Sequence, residues 1–128
     1  MKRVVLDASA LAAIAFHEPA GEPLVARLQG AELFAPTLLV FELANVAWKK
    51  VRRNPEQSTA ILTSLQSALG DDAGILWQSV NPADVVIVAG RLGCSTYDAA
   101  YVWLAGTLGA DLVTLDERLV RLSAQSRA

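Results

Sequence analysis

The sequence predicts an α/β fold in which a central parallel sheet carries helices on both faces, giving three layers. Three observations predict it. Val4-Val5-Leu6 is apolar and β-branched without alternation, as expected of a strand covered on both sides. Further strand-like runs alternate with longer stretches of helical spacing, the pattern of a parallel sheet with crossover helices. A carboxylate, Asp7, ends the first run where it passes into a helix, and open α/β sheets hold ligands in the crevice outside such strand ends.

Taken in order, Val4 to Leu6 is the first strand and Ala8 to Phe16 the first helix. Glu18-Pro19-Ala20-Gly21-Glu22-Pro23 is a break, followed by a short helix, Leu24 to Gln29, closed by Gly30. Ala31 to Ala35 is a second strand stopped by Pro36. Thr37 is then expected to cap a long helix reaching about Arg53, which Asn54-Pro55 ends. Glu56 to Leu69 shows helical spacing through Ile61, Leu62, Leu65 and Leu69, so these two helices should form a hairpin. Ile75 to Val80 is a third strand. Asn81-Pro82 or Asp84 opens a helix to Gly93, and Ser95 opens another that ends near Gly109. Asp111 to Leu115 is a fourth strand, and Asp116 begins a terminal helix. No repeat, low-complexity tract or linker is present, so residues 1–128 are expected to form one domain, long enough to bury about two-thirds of its unfolded surface.

Composition excludes several classes. One cysteine, Cys94, and one histidine, His17, rule out a disulfide scaffold and a Cys/His zinc site by counting, and a reducing, cytoplasmic setting is expected. Asp7 interrupts what would be the apolar core of a secretory signal after Lys2-Arg3, and no uncharged run approaches the ~18 residues of a membrane span. With 11 basic against 13 acidic residues the chain lacks the broad basic coat of a dedicated nucleic-acid binder, although Lys49, Lys50, Arg52 and Arg53 fall together.

Four acids stand in otherwise apolar surroundings: Asp7, Glu42, Asp98 and Asp116. Each has a purely structural explanation. Asp7 and Asp116 suit helix caps, and Asp98 suits a capping box opened by Ser95. Glu42, within Leu38-Leu39-Val40-Phe41-Glu42-Leu43-Ala44, has no evident surface face, so it needs a partner such as Lys49 or a metal. Jointly they say more. Asp7 and Asp116 each end a predicted strand, so a parallel sheet points both to one edge. Glu42 and Asp98 lie near the starts of helices that reach the same rim. Carboxylates crowded together repel one another unless divalent cations supply charge, and an all-oxygen ligand set selects Mg²⁺ or Mn²⁺. Such ions bind phosphate oxygens and activate water, which makes phosphodiester hydrolysis the natural chemistry. Ser9 and Thr114, each two residues from a key Asp, are placed to orient the carboxylates. Glu42, Asn45, Lys49 and Arg52 form a polar line that leaves this rim and turns basic, a path for an RNA backbone or simply a solvated helix end. Trp48, Trp77, Trp103 and Tyr101 are expected in the core, His17 in a turn, and Cys94 as a small packed residue.

Val4-Val5-Leu6-Asp7-Ala8-Ser9-Ala10-Leu11, Phe41-Glu42-Leu43-Ala44-Asn45-Val46, Tyr97-Asp98-Ala99-Ala100-Tyr101-Val102-Trp103-Leu104-Ala105 and Val113-Thr114-Leu115-Asp116-Glu117-Arg118-Leu119, in this order, resemble the PIN-domain nucleases. The chain length and the Glu18-Pro19 turn resemble the VapC toxin branch. The resemblance implies a PIN-like fold, Mg²⁺- or Mn²⁺-dependent endoribonuclease activity leaving 5′-phosphate and 3′-hydroxyl ends, a homodimer, and a VapB-type antitoxin through which DNA is met only indirectly. It carries the acidic site, catalytic and metal-holding, onto Asp7, Glu42, Asp98 and Asp116, with Ser9 and Thr114 beside it. Family members usually add a fifth strand after the terminal helix, whereas Ser123-Ala124-Gln125-Ser126-Arg127-Ala128 is too polar to suggest one, so four strands or five are expected. A receiver domain is disfavoured because Asp7 is single and no lysine follows Lys50. The alternative is a catalytically weak PIN-like module that dimerises and holds an antitoxin on operator DNA.

Overall fold

The computed structural model describes residues 2–127. Four parallel strands, β1 (Arg3–Leu6), β2 (Glu32–Pro36), β3 (Ile75–Gln78) and β4 (Asp111–Val113), form one sheet in the order β3-β2-β1-β4. Around them lie α1 (Ala8–Ala15), α2 (Gly21–Arg27), α3 (Leu38–Arg53), α4 (Ser58–Leu69), α5 (Pro82–Leu92), α6 (Thr96–Leu108) and α7 (Glu117–Arg127). A parallel pair cannot be closed by a tight turn, so each connection carries at least one helix.

The pleat divides the core. Val4, Leu6 and Leu33 face one side, where Ala10 and Ala13 of α1, Leu24 of α2 and Leu28 just beyond it cover them. Val5 and Phe34 belong to the other cluster, with Val102 and Ala105 of α6 and Leu119 and Leu122 of α7. Val4, Val5 and Leu6 are at most 1% exposed, which accounts for their unbroken apolar run. At the close approach of α2 to α1 a side chain is impossible: a Cβ on Gly21 would lie 2.2 Å from the Ala13 carbonyl oxygen.

Several boundaries differ from the sequence expectation. Helix α2 begins at Gly21 rather than Leu24, because Pro23 falls in its first turn, where an amide hydrogen is not needed. Pro36 ends β2 instead of stopping it earlier. It is paired with Gln78 of β3 but lies beyond the stretch that β1 pairs, so its missing N–H costs no bond on that side. Strands β3 and β4 are shorter than expected, ending at Gln78 and Val113. Thr37 does not cap α3. Its backbone is already helical (φ −59°, ψ −24°), whereas a capping hydroxyl needs extended geometry; its own N–H bonds the Gln78 carbonyl at 3.2 Å. A 3₁₀ turn, Pro55–Gln57, precedes α4, and α3 and α4 pack as the expected hairpin. His17 sits exposed with a positive φ of 54° in the turn after α1.

Among the described residues there is no fifth strand: Ser123 to Arg127 continue α7, with Leu119, Leu122 and Ser123 buried. Amphipathic spacing on one packed face sustains a helix there despite the polar composition. No helix among the described residues is long and apolar enough to cross a membrane.

Candidate active site at the carboxyl edge of the sheet

The strand order contains one reversal. The chain passes outward from β1 to β2 to β3, then returns to lay β4 on the opposite side of β1. Crossover helices on either side of such a switch point diverge, which leaves a crevice at the carboxyl ends of the two central strands. Leu6 pairs with Val113, so Asp7 and Thr114 leave the sheet side by side in that crevice.

Asp7 is 6% exposed and fully engaged. Its Oδ1 accepts the Ala10 amide at 3.0 Å, which is the helix cap anticipated from sequence. Ser9 Oγ donates to both carboxylate oxygens (2.8 and 3.0 Å), and Thr114 Oγ1 donates to Oδ2 at 2.5 Å. The two hydroxyl oxygens in turn accept backbone amides of the β4–α7 connection: Leu115 N–H reaches Ser9 Oγ at 2.9 Å, and Asp116 N–H reaches Thr114 Oγ1 at 3.0 Å. The ends of β1 and β4 are thereby tied through one carboxylate. Burial nevertheless raises the Asp7 pKa despite these donors, and the charge of Asp116 pushes it further the same way.

Asp116 has two roles at once. Its Oδ1 caps α7 by accepting the amides of Arg118 (2.9 Å) and Leu119 (3.4 Å), while Oδ2 faces the Arg118 guanidinium at 3.5 Å. Asp98 stands in the first turn of α6, its amide held by Ser95 Oγ at 3.1 Å. Its carboxylate meets the same guanidinium at 3.1 Å.

Glu42 departs from expectation. It is half-buried rather than enclosed, and Phe41 beside it is 78% exposed, so the apolar run around Glu42 is not all core. Lys49 is exposed, and the partner of Glu42 is Tyr101, whose buried hydroxyl donates to Oε1. Burial raises the Glu42 pKa first, the Tyr101 hydrogen bond opposes this, and the charges of Asp7 and Asp98 add to the rise. Asp7 thus senses Asp116, and Glu42 senses Asp7 and Asp98, which brings the four carboxylates into one electrostatic neighbourhood.

They are grouped without being converged. Among the described residues no three acidic, histidine or cysteine side chains stand in a metal-holding arrangement. The donor chemistry fits a hard divalent ion all the same: every candidate ligand is a carboxylate oxygen, and two of the carboxyls have pKa values raised by burial and by like charge. Away from these acids, a concavity of about 520 Å³ between α1, α2 and α4 is lined by Leu11, Ile14, Val25, Leu28, Leu33 and Ile75 among others, with no carboxylate among its described lining residues.

Of the expected nucleic-acid path, Asn45, Lys49 and Arg52 lie exposed along α3, with the Arg52 guanidinium 5.7 Å from the centre of the Trp48 ring. Trp48 is 55% exposed, against the expectation of a core aromatic, because its side of α3 carries this polar line. Trp77 and Trp103 pack against the core as expected, as does Cys94. Lys50 is occupied elsewhere, bonded to Glu18 at 3.3 Å and lying over Phe16. Two site neighbours were missed from the sequence. Tyr101 is concealed among apolar helix positions. Arg118 left a faint sign, a cation in the first turn of a helix, where the dipole disfavours it.

Known proteins share both the pattern and the shape. The PIN domain family model matches residues 4–125. Ribonuclease VapC3 of Pyrobaculum aerophilum is 32% identical over 120 residues, covering 91% of this chain and 92% of that protein. The crystal structure of PAE2754 from the same organism superposes with a TM-score of 0.77 at 28% identity, over 95% of this chain and 86% of the other. VapC20 of Mycobacterium tuberculosis, described as a Sarcin-Ricin loop cleaving toxin, shares the fold with a TM-score of 0.64 at 14% identity, over 92% and 93% of the two chains. A four-stranded parallel sheet with acids gathered at its switch point, matched over nearly its whole length, places this chain in the PIN-domain family.

Proposed function

We propose that this protein is a divalent-metal-dependent endoribonuclease, the toxin of a toxin–antitoxin pair. The observation that carries the reading is Asp7: a buried carboxylate at the switch point, gripped by two hydroxyls, with a raised pKa and three further carboxylates around it. Among the described residues no ion pair satisfies this group, and a cation would. The name of Ribonuclease VapC3 supports the substrate class.

In this reading Asp7, Glu42, Asp98 and Asp116 hold Mg²⁺ or Mn²⁺. When bound, the ion polarises the phosphoryl group and lowers the pKa of a water molecule. Ser9 and Thr114 oppose the rise that burial imposes on the Asp7 pKa and keep its carboxylate correctly turned. Tyr101 does the same for Glu42. Asn45, Lys49 and Arg52 guide the RNA backbone, with Trp48 beside them available for stacking. Phe41, Val86, Ile87 and Tyr97, 60–78% exposed on α3, α5 and α6, support burial against a second copy, and a VapB-type antitoxin is the expected inhibitor.

The test compares wild type with Asp7→Asn and Asp98→Asn on a pool of cellular RNA in Mg²⁺, Mn²⁺ or EDTA. Cleavage by wild type that both substitutions and EDTA abolish is expected. No cleavage, or cleavage indifferent to metal and to both substitutions, would instead favour a subunit that only dimerises and holds an antitoxin on its operator.

A further inference from the structure

Among the described residues, Arg118 alone joins two of the four carboxylates directly. Its Nη2 lies 3.1 Å from Asp98 Oδ2 and 3.5 Å from Asp116 Oδ2, so a single positive nitrogen sits between two proposed metal ligands. The helix cap is made by the backbone amide of Arg118, which donates to Asp116 Oδ1, while the side chain is 62% exposed, so the guanidinium is free to leave by rotation without disturbing that cap. Its location is otherwise unfavourable. It occupies the first turn of α7, where the helix dipole repels a cation, and only the acids it faces offset that cost. The carboxylates meanwhile stand apart from a metal-holding arrangement. The guanidinium therefore fills, with a monovalent organic cation, part of the space toward which a divalent ion would draw Asp98 and Asp116.

The geometry points to Arg118 as a built-in counter-cation: it neutralises Asp98 and Asp116 and must swing out before both can ligate Mg²⁺ or Mn²⁺. This inference rests on the metal-site reading above. It assigns Arg118 a positioning role that sets metal affinity. Metal uptake becomes an exchange of cations, in which the incoming ion competes with two half-exposed ion pairs and with the charge of the guanidinium itself. Exchange of this kind keeps the acidic cluster folded when metal is scarce, at the expense of weaker binding.

The experiment is titration of Mn²⁺ alone, followed by calorimetry and by the rise in melting temperature, for wild type, Arg118→Gln and Arg118→Lys. Arg118→Gln should bind Mn²⁺ about five- to tenfold more tightly than wild type, the scale of two such ion pairs. It should also melt at a lower temperature than wild type in EDTA. Arg118→Lys, which keeps the charge but loses the planar fork, should fall between. A measurement without substitution guards against a variant that does not fold: in arginine-labelled wild type, the Nε–Hε signal of Arg118 should shift and sharpen as Mg²⁺ saturates. Unchanged or weaker Mn²⁺ binding by Arg118→Gln, or an Arg118 signal that stays put while Mg²⁺ binds, overturns the exchange and leaves the metal site standing. Wild type that takes up no Mn²⁺ overturns both.

Discussion

Replacing Tyr101 by Phe removes one oxygen from the molecule and isolates the support given to Glu42. The ring is 3% exposed, so it stays in place, and its hydroxyl donates to Glu42 Oε1. Burial and the neighbouring carboxylate push the phenol well above its ordinary range, so it remains a donor at every working pH. A hydrogen bond to a charged group contributes about 1.5–3 kcal/mol. Because Glu42 is only half-buried and water can partly replace the phenol, about 1–2 kcal/mol is expected here. For a chain of this length that is a fall in melting temperature of about 3–8 °C. The sign of its pH dependence follows from the ionisation of Glu42. Loss of the donor raises a pKa that burial has already raised, so the cost appears where the carboxylate is ionised and fades as pH falls and it becomes protonated. Thermal melts followed by circular dichroism in EDTA should therefore show a larger drop at pH 8 than at pH 5. An equal drop at both would mean that the hydroxyl does not act through the charge of Glu42, and no drop at pH 8 would refute the hydrogen bond as a support. In RNA cleavage with Mg²⁺, the same variant should need higher pH to reach half its maximal rate.

Other consequences can be measured on the same material. Asp7 and Glu42 both have raised pKa values, so the folded protein holds their protons more tightly than the unfolded chain does. The stability they contribute is complete below the ordinary carboxylate range and is lost as pH rises through the raised values. Metal-free protein should accordingly melt lower at pH 8 than these groups allow at pH 5, and millimolar Mg²⁺ or Mn²⁺ should restore the difference near neutral pH; no metal-induced shift would count against a preformed site. Thr114→Val keeps the shape but removes a donor to buried Asp7 and an acceptor for the Asp116 amide, and should cost about 1–3 kcal/mol, read by chemical denaturation. Combining it with Ser9→Ala should cost less than the sum, since both hydroxyls serve one carboxylate; strict additivity would show that they act separately.

Much of this architecture was legible because its signals are local. An unbroken apolar run reports burial on both faces within four residues, as Val4 to Leu6 do, and caps such as Asn81 and Ser95 declare helix starts by a side chain three residues from its target. Where boundaries slipped between β2 and α3, tertiary pairing overrode local chemistry: β3 drew Pro36 into a strand and took the amide of Thr37.

The sequence by itself determined the alternation of strands and helices and hence which acids leave the sheet at one edge, since a strand end and a helix start are properties of neighbouring residues. Only the tertiary structure decided what each acid touches. Tyr101 meets Glu42 across 59 positions and Thr114 meets Asp7 across 107, while Arg118 reaches Asp98 from a different helix. Such contacts depend on strand order and on helix packing, and a carboxylate in one dimension does not reveal which hydroxyl or guanidinium the fold will lay against it.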